Sequence, residues 1–150
     1  MIDILRDIGV IARALDSIAN IEFKNHNLTR GQYLYLVRIK ENAGIIPDNL
    51  SEMIKVNRTT ASRAIQKLEQ NGLIEKRADS VNKKIKRLFT TAKGDELAEY
   101  IVKENNYSNK VALKGLSDEE VKTFSRILNK IKQNTEYEWD FVKKGNKRNY

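Results

Sequence analysis

Apolar residues recur along the first helix-like stretch at Ile4, Ile8, Ile11, Leu15 and Ile18, at spacings of four, three, four and three. This is the heptad seam of a helix that pairs along its length. Leu5, Ala12 and Ala19 flank the seam, and Gly9 weakens the helix by roughly 1 kcal/mol relative to alanine unless close packing recovers it. The helix is expected to fray through Asn25, His26 and Asn27. A second helix is predicted from Leu28-Thr29-Arg30-Gly31-Gln32-Tyr33, with Thr29 as N-cap, Gln32 at N3, and Leu28 and Tyr33 as a hydrophobic staple. Tyr33, Leu36 and Val37 should then be buried, with Leu34 a further candidate, before Asn42-Ala43-Gly44 ends the helix on a glycine suited to the left-handed region.

The next stretch, Leu50 to Ile74, is where two short helical patterns meet across a tight break at Val56-Asn57. Ile46-Pro47 opens the first, which holds Leu50, Met53 and Ile54 and stops near Lys55. Val56 plugs the core at the turn, and Asn57 caps the second helix by accepting from its free N–H groups. The inward face of that helix is Ala61, Ala64, Ile65 and Leu68; its outward face is Arg58, Thr59, Thr60, Ser62, Arg63, Gln66 and Lys67. Asn71-Gly72 ends it, and Leu73-Ile74 re-enters the core. Residues 73–77 and 84–90 then alternate as two strands around a polar tip at 78–83, which makes a β-hairpin. The second strand is ambiguous in face, because Ile85/Arg87/Phe89 and Lys84/Lys86/Leu88 both alternate.

Thr91 caps a long helix running through Leu97, Ala98, Ile101 and Val102 towards Tyr107, and the chain breaks around Lys114-Gly115. Ser117 as cap, Glu120 at N3 and Leu116 stapling to Val121 start the last helix. Its seam is Val121, Phe124, Leu128 and Ile131, spaced three, four and three. The tail beyond Trp139, with Lys143, Lys144, Lys147 and Arg148, is expected to fray. A seam at each end that needs a partner favours pairing with a second copy over internal packing. The expectation is a mainly α protomer with a small β-hairpin. It divides into a dimerisation helix at 1–27, a winged helix-turn-helix at 28–94, a long helix and C-terminal dimerisation helix at 95–142, and a basic tail at 143–150.

The net charge of +8 and a pI near 9.6 add a preference for polyanionic partners. No cysteine is present, which excludes disulfides, thiolate metal sites and thiol-based sensing. The start, MIDILRDIGV, has acids at Asp3 and Asp7 and reads as neither a signal peptide nor a membrane span, so a cytoplasmic location is the default. Enzyme chemistry has little support: there is one histidine, no glycine-rich phosphate loop and no metal-ligand cluster, and no cofactor is implied. That histidine, His26, is most simply a polar loop residue.

Double-stranded DNA is the polyanion this arrangement fits. A helix in the major groove meets a distinct pattern of donors, acceptors and methyl groups at each base pair. Arg58 and Arg63 can fork onto guanine or phosphate, Gln66 can pair with adenine, and Thr59, Thr60 and Ser62 are short enough to touch phosphates. Lys67 suits the backbone. Lys76, Arg77, Lys83, Lys84, Lys86 and Arg87 cluster on the hairpin against only Glu75 and Asp79, and would face phosphate or the neighbouring minor groove. The alternative is a winged helix whose basic face meets an acidic protein without specific DNA readout.

The run from Leu50 to Ile74, the basic hairpin, and Thr91-Ala92-Lys93-Gly94 opening a helix resemble the MarR family of bacterial winged-helix transcriptional regulators. The flanking helices at both termini match as well, so the resemblance covers nearly the whole chain. It implies a homodimer with its reading helices in successive major grooves of a pseudo-palindromic operator, and often a repressor released by a small-molecule effector. It places Arg58, Thr59, Thr60, Ser62, Arg63 and Gln66 on the reading helix, Lys83 and Lys84 on the wing tip, and Leu88 inward. An effector pocket would border the helix that begins with Tyr33 and Tyr35, although tyrosines at that spacing are more simply core or surface. One departure stands out: the family's wing usually carries an aspartate followed by arginines, where this chain has Asn82-Lys83-Lys84. The acid–arginine pair that braces the wing is therefore expected to be absent, leaving looser, more purely electrostatic contacts.

Overall fold

The computed structural model describes residues 1–28 and 31–150, which form six α-helices and one hairpin. In chain order these are α1 (Ile4–Glu22), α2 (Gln32–Glu41), α3 (Pro47–Ile54), α4 (Arg58–Gln70), β1 (Ile74–Ala78), β2 (Lys86–Thr90), α5 (Ala92–Ala112) and α6 (Asp118–Lys143). The chain divides into two compact units, Met1–Ser108 and Asn109–Tyr150. No helix among the described residues is long and apolar enough to cross a membrane.

The first unit holds the core. Phe23, Leu28, Leu36, Ile39, Leu50, Ile65, Leu68, Leu73, Leu88 and Ile101 are all fully buried in it, each such side chain contributing roughly 1.5–3 kcal/mol. Ala61, Ala64, Ile65 and Leu68 form the buried face of α4 as expected, and Val56 packs against the same core from the turn. Lys55, in the left-handed region at φ 64°, reverses the chain between α3 and α4. Ser51, a residue the apolar pattern passes over, is buried there, and its hydroxyl donates to the Asp48 carbonyl at 2.8 Å.

The region after α1 departs from expectation. Instead of fraying, the chain turns through a short 3₁₀ segment, Lys24–His26, because Phe23 is buried against the rings of Tyr33 and Tyr100 at 5.5 and 5.9 Å. Helix α2 begins at Gln32, with Gly31 as its N-cap at φ 75°. Gln32 is thus the first helical residue rather than N3, and its Oε1 has no hydrogen-bond partner among the described residues. The predicted cap, Thr29, lies outside the described residues. Tyr33, Leu36 and Val37 are buried as expected, together with Tyr35 and Ile39, whereas Leu34 is on the exposed side.

β1 and β2 pair antiparallel with Ile74 opposite Thr90 and Ala78 opposite Lys86, one or two residues shorter or shifted from the predicted strands. Leu88 points into the core and settles the ambiguous face. Its backbone also bridges to Ile45, with the Leu88 N–H donating to the Ile45 carbonyl at 2.9 Å and the Gly44 N–H donating to the Leu88 carbonyl at 2.8 Å. This third edge, contributed by the turn after α2, anchors the hairpin's base.

The hairpin returns onto α5 through one close approach. The Thr91 hydroxyl accepts from the Gly94 N–H at 3.1 Å, capping the helix as predicted, and donates to the Gly72 carbonyl at 2.7 Å. The Thr91 N–H donates to the Leu73 carbonyl at 3.0 Å, and a Cβ on Gly94 would lie 2.0 Å from that same oxygen. Only glycine fits this contact.

In the second unit, Ser117 and Glu120 form the reciprocal capping box predicted for α6. The helix runs to Lys143 rather than fraying after Trp139, since Phe141 and Val142 continue its apolar content and the chain reverses only at Gly145, φ 90°.

Replacing Gly94 by alanine forces backbone apart where α5 meets Leu73, so Gly94→Ala should lower unfolding free energy by about 1–3 kcal/mol. The midpoint of urea unfolding measures it, and an unchanged midpoint would show that the Leu73 carbonyl has room to move.

Candidate nucleic-acid interface

Helix α4 begins because Asn57 supplies an oxygen where four N–H groups lack partners: its Oδ1 accepts from the Thr60 N–H at 2.7 Å. The cap puts Arg58, Thr59 and Thr60 in the first turn. Together with Ser62, Arg63, Gln66 and Lys67 they make one exposed face, as the sequence pattern placed them. Arg58 alone of these has an ion pair, with Asp48 at 3.4 Å, and both side chains are more than half exposed, so the pair adds little stability. Among the described residues, the side chains of Arg63, Gln66 and Lys67 have no hydrogen-bond or ion-pair partner.

The hairpin sorts its cations differently from the sequence reading. Arg77 and Arg87 sit directly opposite each other across the strands, an arrangement that is destabilising unless each charge is answered. Arg77 pairs with Glu75 and lies over the Phe89 ring, 4.3 Å from its centre. Arg87 donates from Nε to Asp79 Oδ1 at 2.6 Å and from Nη1 to the Gly44 carbonyl at 2.9 Å. Lys76 pairs with Glu69 at the end of α4 at 3.6 Å. Three of the six basic residues are thus engaged within the fold. Lys83, Lys84 and Lys86 are exposed and have no ion pair among the described residues.

An acid–arginine pair therefore braces the wing, contrary to the expectation drawn from Asn82-Lys83-Lys84. It is built from Asp79, one residue past the end of β1, and Arg87 of β2, eight residues apart in sequence. Asp79 also accepts from the Val81 and Asn82 N–H groups at 3.1 and 3.0 Å, closing the tip as a turn. The Asn82 amide, then Arg87, then the Val81 amide hold the Asp79 carboxyl down at about pH 2. The signal for this pair lay in the strand register, which the alternation left open.

Tyr33 and Tyr35 are core residues. The Tyr33 hydroxyl donates to Asp16 on α1, and burial foremost, with Asp16 beside it, pushes its pKa well above the ordinary value; burial does the same for Tyr35. A cleft of about 500 Å³ opens elsewhere in this unit, between His26, Asn71, Lys93, Glu96 and Tyr100. The His26 ring packs on Tyr100 at 5.3 Å.

The predicted pairing residues are mostly uncovered. On α1, Ile4, Ile11, Leu15 and Ile18 are 40–56% exposed and Ile8 is half-buried. On α6, Phe124 and Leu128 are exposed, Val121 and Ile131 are half-buried, and no residue of the helix is fully buried.

A capped helix presenting a polar, cationic face, preceded by a short helix and followed by a basic hairpin, defines a winged helix-turn-helix protein. The MarR family model matches residues 28–86. The chain is 59% identical over its full length, and that of the relative, to the uncharacterized HTH-type transcriptional regulator YybA of Bacillus subtilis (strain 168). It is 30% identical to the HTH-type transcriptional regulator BilQ of Clostridioides difficile, covering 73% of this chain and 74% of that one. A Listeria monocytogenes MarR family regulator solved in complex with a 26mer DNA superposes with a TM-score of 0.96 at 59% identity, each chain covered completely. The chain belongs to the MarR family of transcriptional regulators.

Because the folded Asp79 pKa lies below its ordinary 3.8, the brace is at full strength above about pH 4 and is lost as pH falls through 2. The Asp79 carboxyl carbon should titrate near pH 2 by NMR; titration near 4 would mean that neither Arg87 nor the tip amides hold it.

Proposed function

We propose that the protein is a homodimeric transcriptional repressor that reads a pseudo-palindromic operator in double-stranded DNA and loses affinity when a small-molecule effector binds. The observation that carries the reading is the exposed, unpaired set Arg63, Gln66 and Lys67 on a capped helix whose opposite face is core. Residues 28–94 supply the reading unit. Arg58, Arg63 and Gln66 contact base edges, while Asn57 at the cap, Thr59, Thr60, Ser62 and Lys67 lie towards phosphates, and Lys83, Lys84 and Lys86 extend contact along the backbone. The 26mer DNA bound by the Listeria relative supports this reading.

Two copies joined along 1–27 and 95–142, through Ile4, Ile8, Ile11, Leu15, Ile18, Val121, Phe124, Leu128 and Ile131, would set the half-sites about one helical turn apart. The exposed seams supply the apolar surface for that contact. Repression and effector control rest on the family resemblance. The protein acts in the cytoplasm on this reading.

Selection from random duplexes should return a two-fold symmetric site, with affinity that falls steeply as salt rises. Arg63→Ala should weaken binding to that site by roughly 1–3 kcal/mol and relax sequence preference. If the variant bound every sequence as before, Arg63 would not be a base reader.

Leu15→Asp or Ile131→Asp should move the mass measured by light scattering towards the monomer. An unchanged dimer would place these seams inside the protomer.

A further inference from the structure

We propose that Arg87 is the positioning residue of the wing: it aims Lys83 and Lys84 by tying the tip to the turn after α2, and makes no contact with DNA itself. The inference rests on the DNA-binding reading of the wing. Two strands of five residues joined by a seven-residue tip make a ribbon that twists and bends readily on its own. The tip is closed internally, by Asp79 accepting from Val81 and Asn82, by the Asp79 N–H donating to the Ile85 carbonyl at 2.9 Å, and by the Lys84 N–H donating to Asn82 Oδ1 at 3.2 Å. It therefore moves as one piece, carrying Lys83 and Lys84 with it.

Arg87 is the side chain that grips both that piece and the body. Nε holds Asp79, and Nη1 holds the carbonyl of Gly44, whose own N–H is bonded to Leu88 in the adjoining strand. A guanidinium serves here because its donors are fixed in one plane and can satisfy two acceptors in different directions, which an ammonium does less well. The same two bonds orient the group inward on its own fold. They also cancel its charge with Asp79, whereas the tip lysines keep theirs. Among the cations from the tip to β2, Arg87 is thus the anchor, and Lys83, Lys84 and Lys86 are left to face DNA.

The test uses the full chain and a duplex recovered by selection, with affinity measured by fluorescence anisotropy across a salt series. Asp79→Asn removes a negative charge, and by simple electrostatics should tighten DNA binding; as a missing brace it should weaken it. We expect R87A and D79N each to weaken binding on the order of tenfold, with R87K only partly restoring it. K83A/K84A should flatten the log–log salt slope by roughly 0.9 for each phosphate that is no longer neutralised. Adding R87A to K83A/K84A should cost nothing further. Tighter binding by D79N, or an R87A effect of the same size in both backgrounds, would overturn the proposal and make Arg87 touch DNA directly. Amide exchange at Val81 and Asn82 reads the brace without DNA: R87A should speed it severalfold. Unchanged exchange overturns the positioning role whether or not DNA binds. Faster exchange in R87A, alongside a wild type that binds no duplex, would instead sink the DNA-binding reading alone.

Discussion

The carbonyl of Leu73 is the point on which the arrangement of the reading unit depends. It lies just past the end of α4 and at the start of β1, it accepts the Thr91 N–H where β2 gives way to α5, and the bare Cα of Gly94 packs against it. Lys93 adds a bond from its Nζ to the Asn71 carbonyl at 3.2 Å. The end of the exposed helix, both feet of the hairpin and the first turn of α5 are thereby fastened within a few residues. A side chain on Gly94 would part them, and the angle between α4 and the hairpin would change with it.

From that junction outward, the placement of charge follows from what each cation finds within reach. Arginines on the hairpin lie beside acids and carbonyls of their own fold, and their planar forks settle there. Lys83 and Lys84 at the tip have no ion pair among the described residues, because Asp79 is taken up by Arg87 and the tip amides, and they stay exposed. On α4 the inward positions are taken by alanine, isoleucine and leucine, which leaves every polar residue to the outside. Counting basic residues in the sequence would therefore misjudge which of them are available to a polyanion, since Lys76, Arg77 and Arg87 are each engaged by an acid of their own fold.

The terminal helices raise a separate constraint. α1 buries only Ala19, and α6 buries nothing fully, yet both carry long apolar seams. Large exposed apolar strips are uncommon on proteins that work as monomers, and a second copy would cover them by the same hydrophobic gain that builds the core. Among the described residues, α1 is tied to α2 and the turn before it by two polar contacts, Asp16 accepting from the Tyr33 hydroxyl and Asn20 from the Gly31 N–H at 3.3 Å.

Sequence alone determined the helices and their ends wherever a single local rule sufficed. Asn57, Thr91 and Ser117 cap as their spacing requires, Gly72 takes the positive φ that ends α4, and the 3.6-residue period separates the two faces of α4. Tertiary structure decided what depends on residues far apart meeting. Phe23 is held by rings from α2 and α5, so the chain after α1 turns rather than frays. Leu88 is inward because Ile45 closes the hairpin's edge. Asp79 meets Arg87 only once the strand register brings them together, a one-residue choice that alternating polar positions leave open. Helix ends are written in contacts three or four residues long; strand faces and wing braces are settled by which surface is left to bury.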